Sequence, residues 1–78
     1  MTIKQLAQVL SDSFDKSPRS EKASMILLFG IRYGRVIKEN KYLIKEILEL
    51  ANLPASYQSG VNKGINLAKY VEEKTEEV

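Results

Sequence analysis

The sequence predicts an all-α fold, a small bundle of four to five short helices with a helix-turn-helix at its centre. Apolar residues recur three and four positions apart through most of the chain, as on one face of an α-helix. Residues that favour helix starts and helix ends separate these segments. A chain of 78 residues is near the lower limit for a self-supporting core. We therefore expect one domain, residues 1–71, followed by an acidic, frayed tail over residues 72–78.

Composition limits the class of protein. Hydrophobic residues at 44% and charged residues at 28% are ordinary globular values. With neither cysteine nor histidine, the chain has no disulfide framework and no common zinc ligand, so we predict no metal and no cofactor. The longest apolar run, residues 25–31, is too short to span a bilayer, so we expect no membrane partner and a cytoplasmic location.

The first helix is predicted to start after Thr2, whose hydroxyl can cap it, and to end near Phe14. Residues 15–18 then form a loop that ends in a start signal. Ser17 can accept a hydrogen bond from an unpaired N–H group, and Pro18 fits a first helical turn. One side of this first helix is apolar: Ile3, Leu6, Ala7, Leu10 and Phe14.

The second helix is predicted to follow Pro18 and to end near Asn40. A rival interpretation makes residues 25–37 two strands joined by a turn at Tyr33 and Gly34. The Ser-Pro start, the Ala and Leu content and an exposed basic row favour the helix. Its predicted apolar positions are Ala23, Ile26, Leu27, Gly30, Tyr33, Gly34 and Ile37.

A tight break at residues 52–54 separates an apolar-periodic helix, predicted over residues 43–51, from a polar helix over 55–63. Asn52 tolerates the left-handed conformation that ends a helix, and Pro54 suits the first position of the next one. Two helices joined by so short a turn are typical of a helix-turn-helix. Beyond it, Gly64 is predicted to end the second helix. A last helix would be capped by Asn66 and turn three residues inward: Leu67, Tyr70 and Val71.

The segment over residues 51–61 resembles the helix-turn-helix of bacterial repressors, and the resemblance covers about twenty residues, 43–64. Ala51 matches the small packing residue, Asn52 the turn glycine and Leu53 the apolar residue of that pattern. The sequence departs from it at three places: Asn52 itself, Gln58 at an apolar position, and Gly60 inside the second helix. The resemblance implies that the helix over residues 55–63 enters the major groove of double-stranded DNA.

Candidate DNA-binding residues follow from this arrangement. Gln and Asn amides can bond bidentately to adenine, while Ser and Lys can bond phosphate or base. On the second helix these are Ser56, Gln58, Ser59, Asn62 and Lys63. A basic row on the preceding long helix is a candidate for phosphate contacts, with Lys41 as an extension: Arg32, Arg35 and Lys38. Residues 1–42 carry eight Lys or Arg against four acids, which is compatible with attraction to phosphate.

Two pairs of glycines lie four residues apart, Gly30 with Gly34 and Gly60 with Gly64. Such pairs let another backbone approach a helix closely, so these faces are predicted to meet each other or a second subunit. A nucleotide-binding loop is disfavoured because the Gly-Lys-Ser/Thr ending is missing.

These observations predict a small non-enzymatic DNA-binding or regulatory module. Without histidine or cysteine, and without a distinctive pair of carboxylates, no catalytic group stands out, and no small-molecule substrate is expected. The alternative is a helical protein-interaction or oligomerisation module that binds no nucleic acid. In that case a homodimer or another protein would cover apolar residues such as Val9, Leu28 and Leu50.

Overall fold

A computed structural model describes the backbone of residues 1–77 and the side chains of residues 1–68 and 70. It contains four α-helices: α1 Ile3–Lys16, α2 Lys22–Glu39, α3 Ile44–Leu50 and α4 Gln58–Glu77. Short 3-10 turns at Arg19–Glu21 and Ala55–Tyr57 lead into α2 and α4. Residues 1–77 contain no strand, so the all-α prediction is confirmed and residues 25–37 belong to α2.

The start of α1 is capped as predicted. The Thr2 hydroxyl accepts a hydrogen bond from the Gln5 N–H, and the Gln5 side chain accepts one from the Thr2 N–H, which together form a capping box. The predicted role of Ser17 is wrong, because its hydroxyl donates to the carbonyl of Ser13 inside α1. Pro18 leads into the 3-10 turn, and α2 begins only at Lys22.

The end of α3 is a Schellman motif, in which the chain turns through one left-handed residue. Asn52 has a φ of 66°, as predicted for this position. The Leu53 N–H donates to the Leu48 carbonyl at 2.9 Å, and the Asn52 N–H donates to the Glu49 carbonyl at 3.1 Å. This closed turn fixes the direction in which the chain leaves α3 toward α4.

The end of α2 has the same geometry, but with a residue that fits it less well. Lys41 occupies the left-handed position with a φ of 56°. The Tyr42 N–H donates to the Ile37 carbonyl at 3.0 Å, and the Lys41 N–H donates to the Lys38 carbonyl at 3.2 Å. Left-handed backbone costs an ordinary side chain about 1–2 kcal/mol, whereas glycine adopts it freely.

We therefore expect Lys41→Gly to stabilise the fold by about 0.5–1 kcal/mol and to raise Tm by several degrees. Asn52→Gly at the equivalent position of α3 is the matched control. It should change Tm less, because asparagine already tolerates this conformation. Thermal unfolding followed by circular dichroism measures both variants, and an equal rise in the two would contradict the assignment of strain to Lys41.

The hydrophobic core draws on every helix. No polar or charged side chain among the described residues is buried. The buried apolar side chains are Leu6, Ala7, Leu10, Ile26, Phe29, Ile37, Ile47, Leu48, Ala51, Val61 and Ile65. Around them, Phe14 and Tyr57 pack edge to face with their ring centroids 5.3 Å apart, which ties the end of α1 to the entry of α4.

α2 and α4 approach each other closely at glycines. A Cβ atom built on Gly30 would lie 2.9 Å from the Gly64 Cα and 3.0 Å from the Ile65 N, and closer still to the Val61 carbonyl oxygen. The two helices therefore touch backbone to backbone, with no side chain between them. The predicted meeting of the two glycine pairs is confirmed, and it takes place within one chain.

The predicted break of α4 at Gly64 is wrong. The helix continues through Gly64 and Asn66 to Glu77, and neither residue ends or caps a helix. Gly64 has no positive φ, because its missing side chain serves the contact with α2 rather than a turn. That packing outweighs the helix-propensity cost of glycine, about 1 kcal/mol.

The inward positions predicted beyond Gly64 are also wrong where the structure describes them. Leu67 is 41% exposed and Tyr70 is 70% exposed. The Val71 side chain lies outside the described residues, as do the side chains of the predicted tail. The division of the chain at residue 71 thus stays a prediction. None of the described helices is both long and apolar enough to cross a membrane.

Candidate nucleic-acid interface

An open cavity of about 340 Å³ lies where the C-terminal end of α2, the connecting segment 41–44 and the first half of α4 meet. It is the place where several predicted DNA-binding side chains come together. No acidic residue is among the described residues that line it. Its polar lining includes two lysines and three amides: Lys38, Lys41, Gln58, Asn62 and Asn66.

The three amides form one row because they lie four residues apart on α4. Each step of four residues turns an α-helix by about 40° beyond a full turn, so Gln58, Asn62 and Asn66 share one face. All three side chains are exposed. Within the described part of the chain, none of their amide groups forms a hydrogen bond, so both the donor and the acceptor of each are available to a ligand.

The two lysines reach the cavity from the end of α2. Lys38 lies one turn beyond Gly34, whose Cα faces Ile65 of α4. Lys41 is brought there by the left-handed turn that redirects the chain toward α3. Two ammonium groups without a lining carboxylate make this cavity electropositive.

The predicted basic row is exposed along its length, but its three residues spread over about 120° of the surface of α2. Positions three apart step about 60° around a helix, so Arg32 lies about 120° from Lys38. Arg32 lines a different depression, together with Val9 and Leu28. Arg35 is exposed on α2 but does not line the cavity.

Three further predicted residues, Ser56, Ser59 and Lys63, are exposed but do not line the cavity. Ser56 lies in the 3-10 turn before α4, and the other two lie on the helix itself. Sequence reasoning assigned Asn66 to a helix cap and so missed it as a member of the amide row. Asn66 lies four residues after Asn62, and this spacing places both on one helix face only if a single helix contains them. The sequence alone did not show that α4 is continuous.

Apolar side chains form the floor and rim of the cavity. Ile37 and Ile65 belong to the buried core, and Leu43 is an exposed residue at the rim. Tyr42 is half-buried, and its hydroxyl donates to the Met1 carbonyl at 2.7 Å. The connecting segment is thereby attached both to the core and to the N-terminal residue.

α3 ends at Leu50 and α4 begins only at Gln58, so the predicted start of a helix at residue 55 is wrong: the 3-10 turn Ala55–Tyr57 lies between the break and α4. The left-handed turn at Asn52 separates the two helices, and α3 is anchored by Ile47 and Leu48. No curated protein and no solved structure matches this chain. A model of the HTH-like domain family matches residues 2–74, nearly the whole chain. The chain therefore belongs to the HTH-like domain family.

Proposed function

We propose that this protein is a non-enzymatic module that binds double-stranded DNA, with the outer face of α4 in the major groove. The observation that carries the proposal is the cavity that joins three free amides to two lysines. Lysines can hold the phosphate backbone and fix the register, while amides can bond to base edges. Membership of the HTH-like domain family supports the same function. We also propose that the protein is cytoplasmic and that it controls a gene through this binding.

The remaining predicted residues have lesser roles in this proposal. Ser59 and Lys63 are exposed on α4, and Ser56 is exposed just before it, so each can meet phosphate at the edge of the interface. Arg32 and Arg35 are left outside the contact surface. The proposal thus predicts that a change at Lys38 weakens DNA binding far more than the same change at Arg32, on the same helix.

The test is a titration of a fluorescent random-sequence duplex, followed by anisotropy at two salt concentrations. If Lys38 and Lys41 each neutralise one phosphate, a fourfold rise in salt should weaken binding roughly tenfold. Lys38→Glu should weaken binding on the order of tenfold and flatten this salt dependence. Arg32→Glu, on the same helix and with the same change of charge, is the matched control and should have a much smaller effect.

Lys41→Gly separates loss of binding from loss of folding. This variant should bind DNA less tightly and show a reduced salt slope, although its fold is expected to be more stable. Absence of binding at low salt would contradict the proposal. Equal weakening by Lys38→Glu and Arg32→Glu would show that overall charge, and not this surface, attracts DNA.

A second candidate function is a protein-interaction or oligomerisation module. It is favoured by apolar side chains that stay exposed, Leu28 on α2 and Leu50 on α3. Leu28 borders a depression of about 90 Å³ that also includes Val9 and Met25. Failure of the DNA titration, together with a molecular mass that rises with protein concentration, would support a homodimer of this kind.

A further inference from the structure

We infer that α4 selects A·T base pairs, through hydrogen bonds from its amide row to adenine in the major groove. This inference rests on the proposed function and names the class of DNA that the same site would prefer. An Asn or Gln side chain can donate to adenine N7 and accept from adenine N6 at the same time. Gln58, Asn62 and Asn66 are exposed, share one face and have no competing partner in the described part of the chain.

The other side chains of this surface agree with such a preference. Arginine, the commonest reader of guanine, is absent from the sequence of α4. Lys38 and Lys41 reach the cavity from outside α4, where they are placed to meet phosphate. Leu43 offers an exposed apolar surface beside the amides, and a thymine methyl group is the apolar feature of the major groove.

The spacing of the row limits the pattern that it can read. Four residues advance a helix by about 6 Å, whereas successive bases of one strand are about 3.4 Å apart. Neighbouring amides are therefore in register with bases about two steps apart. A strand in which adenine recurs at every second position, as in an alternating A·T block, supplies adenines at this spacing.

The test compares three short fluorescent duplexes with the same flanks. One has a core of alternating A·T pairs, the second has alternating G·C pairs, and the third repeats the first with 7-deazaadenine in place of adenine. The replacement removes the N7 acceptor from the major groove and leaves the minor groove unchanged. We expect the first duplex to bind at least roughly tenfold more tightly than the second, and the third to lose most of that advantage.

Variants at Asn62 assign the preference to the amide row. Asn62→Ala should reduce the A·T advantage about tenfold and leave binding to the G·C duplex nearly unchanged. Asn62→Arg should raise affinity for the G·C duplex, because arginine bonds bidentately to guanine. Ser24→Ala is the control, since Ser24 is exposed on α2 and does not line the cavity. Alanine at these exposed helical positions should not harm folding.

The outcomes separate this inference from the function on which it rests. Equal, salt-dependent binding of all three duplexes would overturn the A·T preference and leave DNA binding intact. A preference that persists with 7-deazaadenine would also overturn it, because the minor groove or the shape of the duplex would then be the feature read. Absence of binding to every duplex at low salt would overturn both.

Discussion

Replacing Gly64 with alanine is expected to destabilise the protein by about 2–3 kcal/mol or more and to lower Tm by roughly 10–20 °C. The new Cβ would lie 2.8 Å from the Gly30 Cα and 3.0 Å from the Ile31 N, and closer still to the Leu27 carbonyl oxygen. These neighbours are backbone atoms of α2, so only a displacement of the helix itself relieves the overlap. The helix-propensity gain of alanine, about 1 kcal/mol, does not offset this cost.

Gly60→Ala is the matched control for this prediction, since it makes the same change one turn earlier in α4. Its Cβ would meet only side-chain atoms of Ile26, the nearest at 2.9 Å. A side chain can yield more easily than a backbone, so we expect a loss of about 1 kcal/mol or less. Thermal and urea unfolding measure both variants. Similar Tm values for the two would contradict the backbone contact as the dominant constraint.

Leu48→Ala is the second substitution with a large expected effect. Leu48 is 1% exposed, and its removal leaves a cavity where α3 packs on the core. Leucine-to-alanine changes at such sites cost about 2–5 kcal/mol, a large part of the 5–15 kcal/mol that stabilises a typical domain. We expect Tm to fall by roughly 10–30 °C.

Leu50→Ala makes the same chemical change two residues along the same helix. Leu50 is 52% exposed, so its truncation should alter the free energy of unfolding by no more than about 0.5 kcal/mol. Because both substitutions change the helix propensity of α3 equally, the difference between their free energies of unfolding reports the effect of burial alone. A large loss of stability in Leu50→Ala would show that this side chain is covered, as in the homodimer considered above.

Local signals predicted most of the fold. The Thr2 cap, the exit at Asn40 and the left-handed Asn52 are all confirmed, because each depends on residues only a few positions apart. The faces of the glycine pairs were predicted to meet each other or a second subunit, and within this chain they meet each other. The choice of helix for residues 25–37 is confirmed in the same way.

Errors arose where a residue has two physical uses and only tertiary contacts decide between them. Glycine can end a helix or admit a neighbouring backbone, and at Gly64 the second use prevails. Because a helix end was wrongly predicted at Gly64, Asn66 was interpreted as a helix cap and not as a member of the amide row. Similarly, only the three-dimensional path of the chain separates Lys38, at the cavity, from Arg32, at another surface.

The backbone contact between α2 and α4 has a consequence for engineering. Gly60 and Gly64 lie on the inner side of α4, and Asn62 and Asn66, each two residues further on, lie on the opposite side. The residues of α4 that contact α2 are therefore different from the residues of α4 that face solvent. A library randomised at positions 58, 62 and 66 would change the exposed side chains of α4 while the packing of α4 on α2 stays the same. Such a domain offers a small starting scaffold for reprogrammed binders.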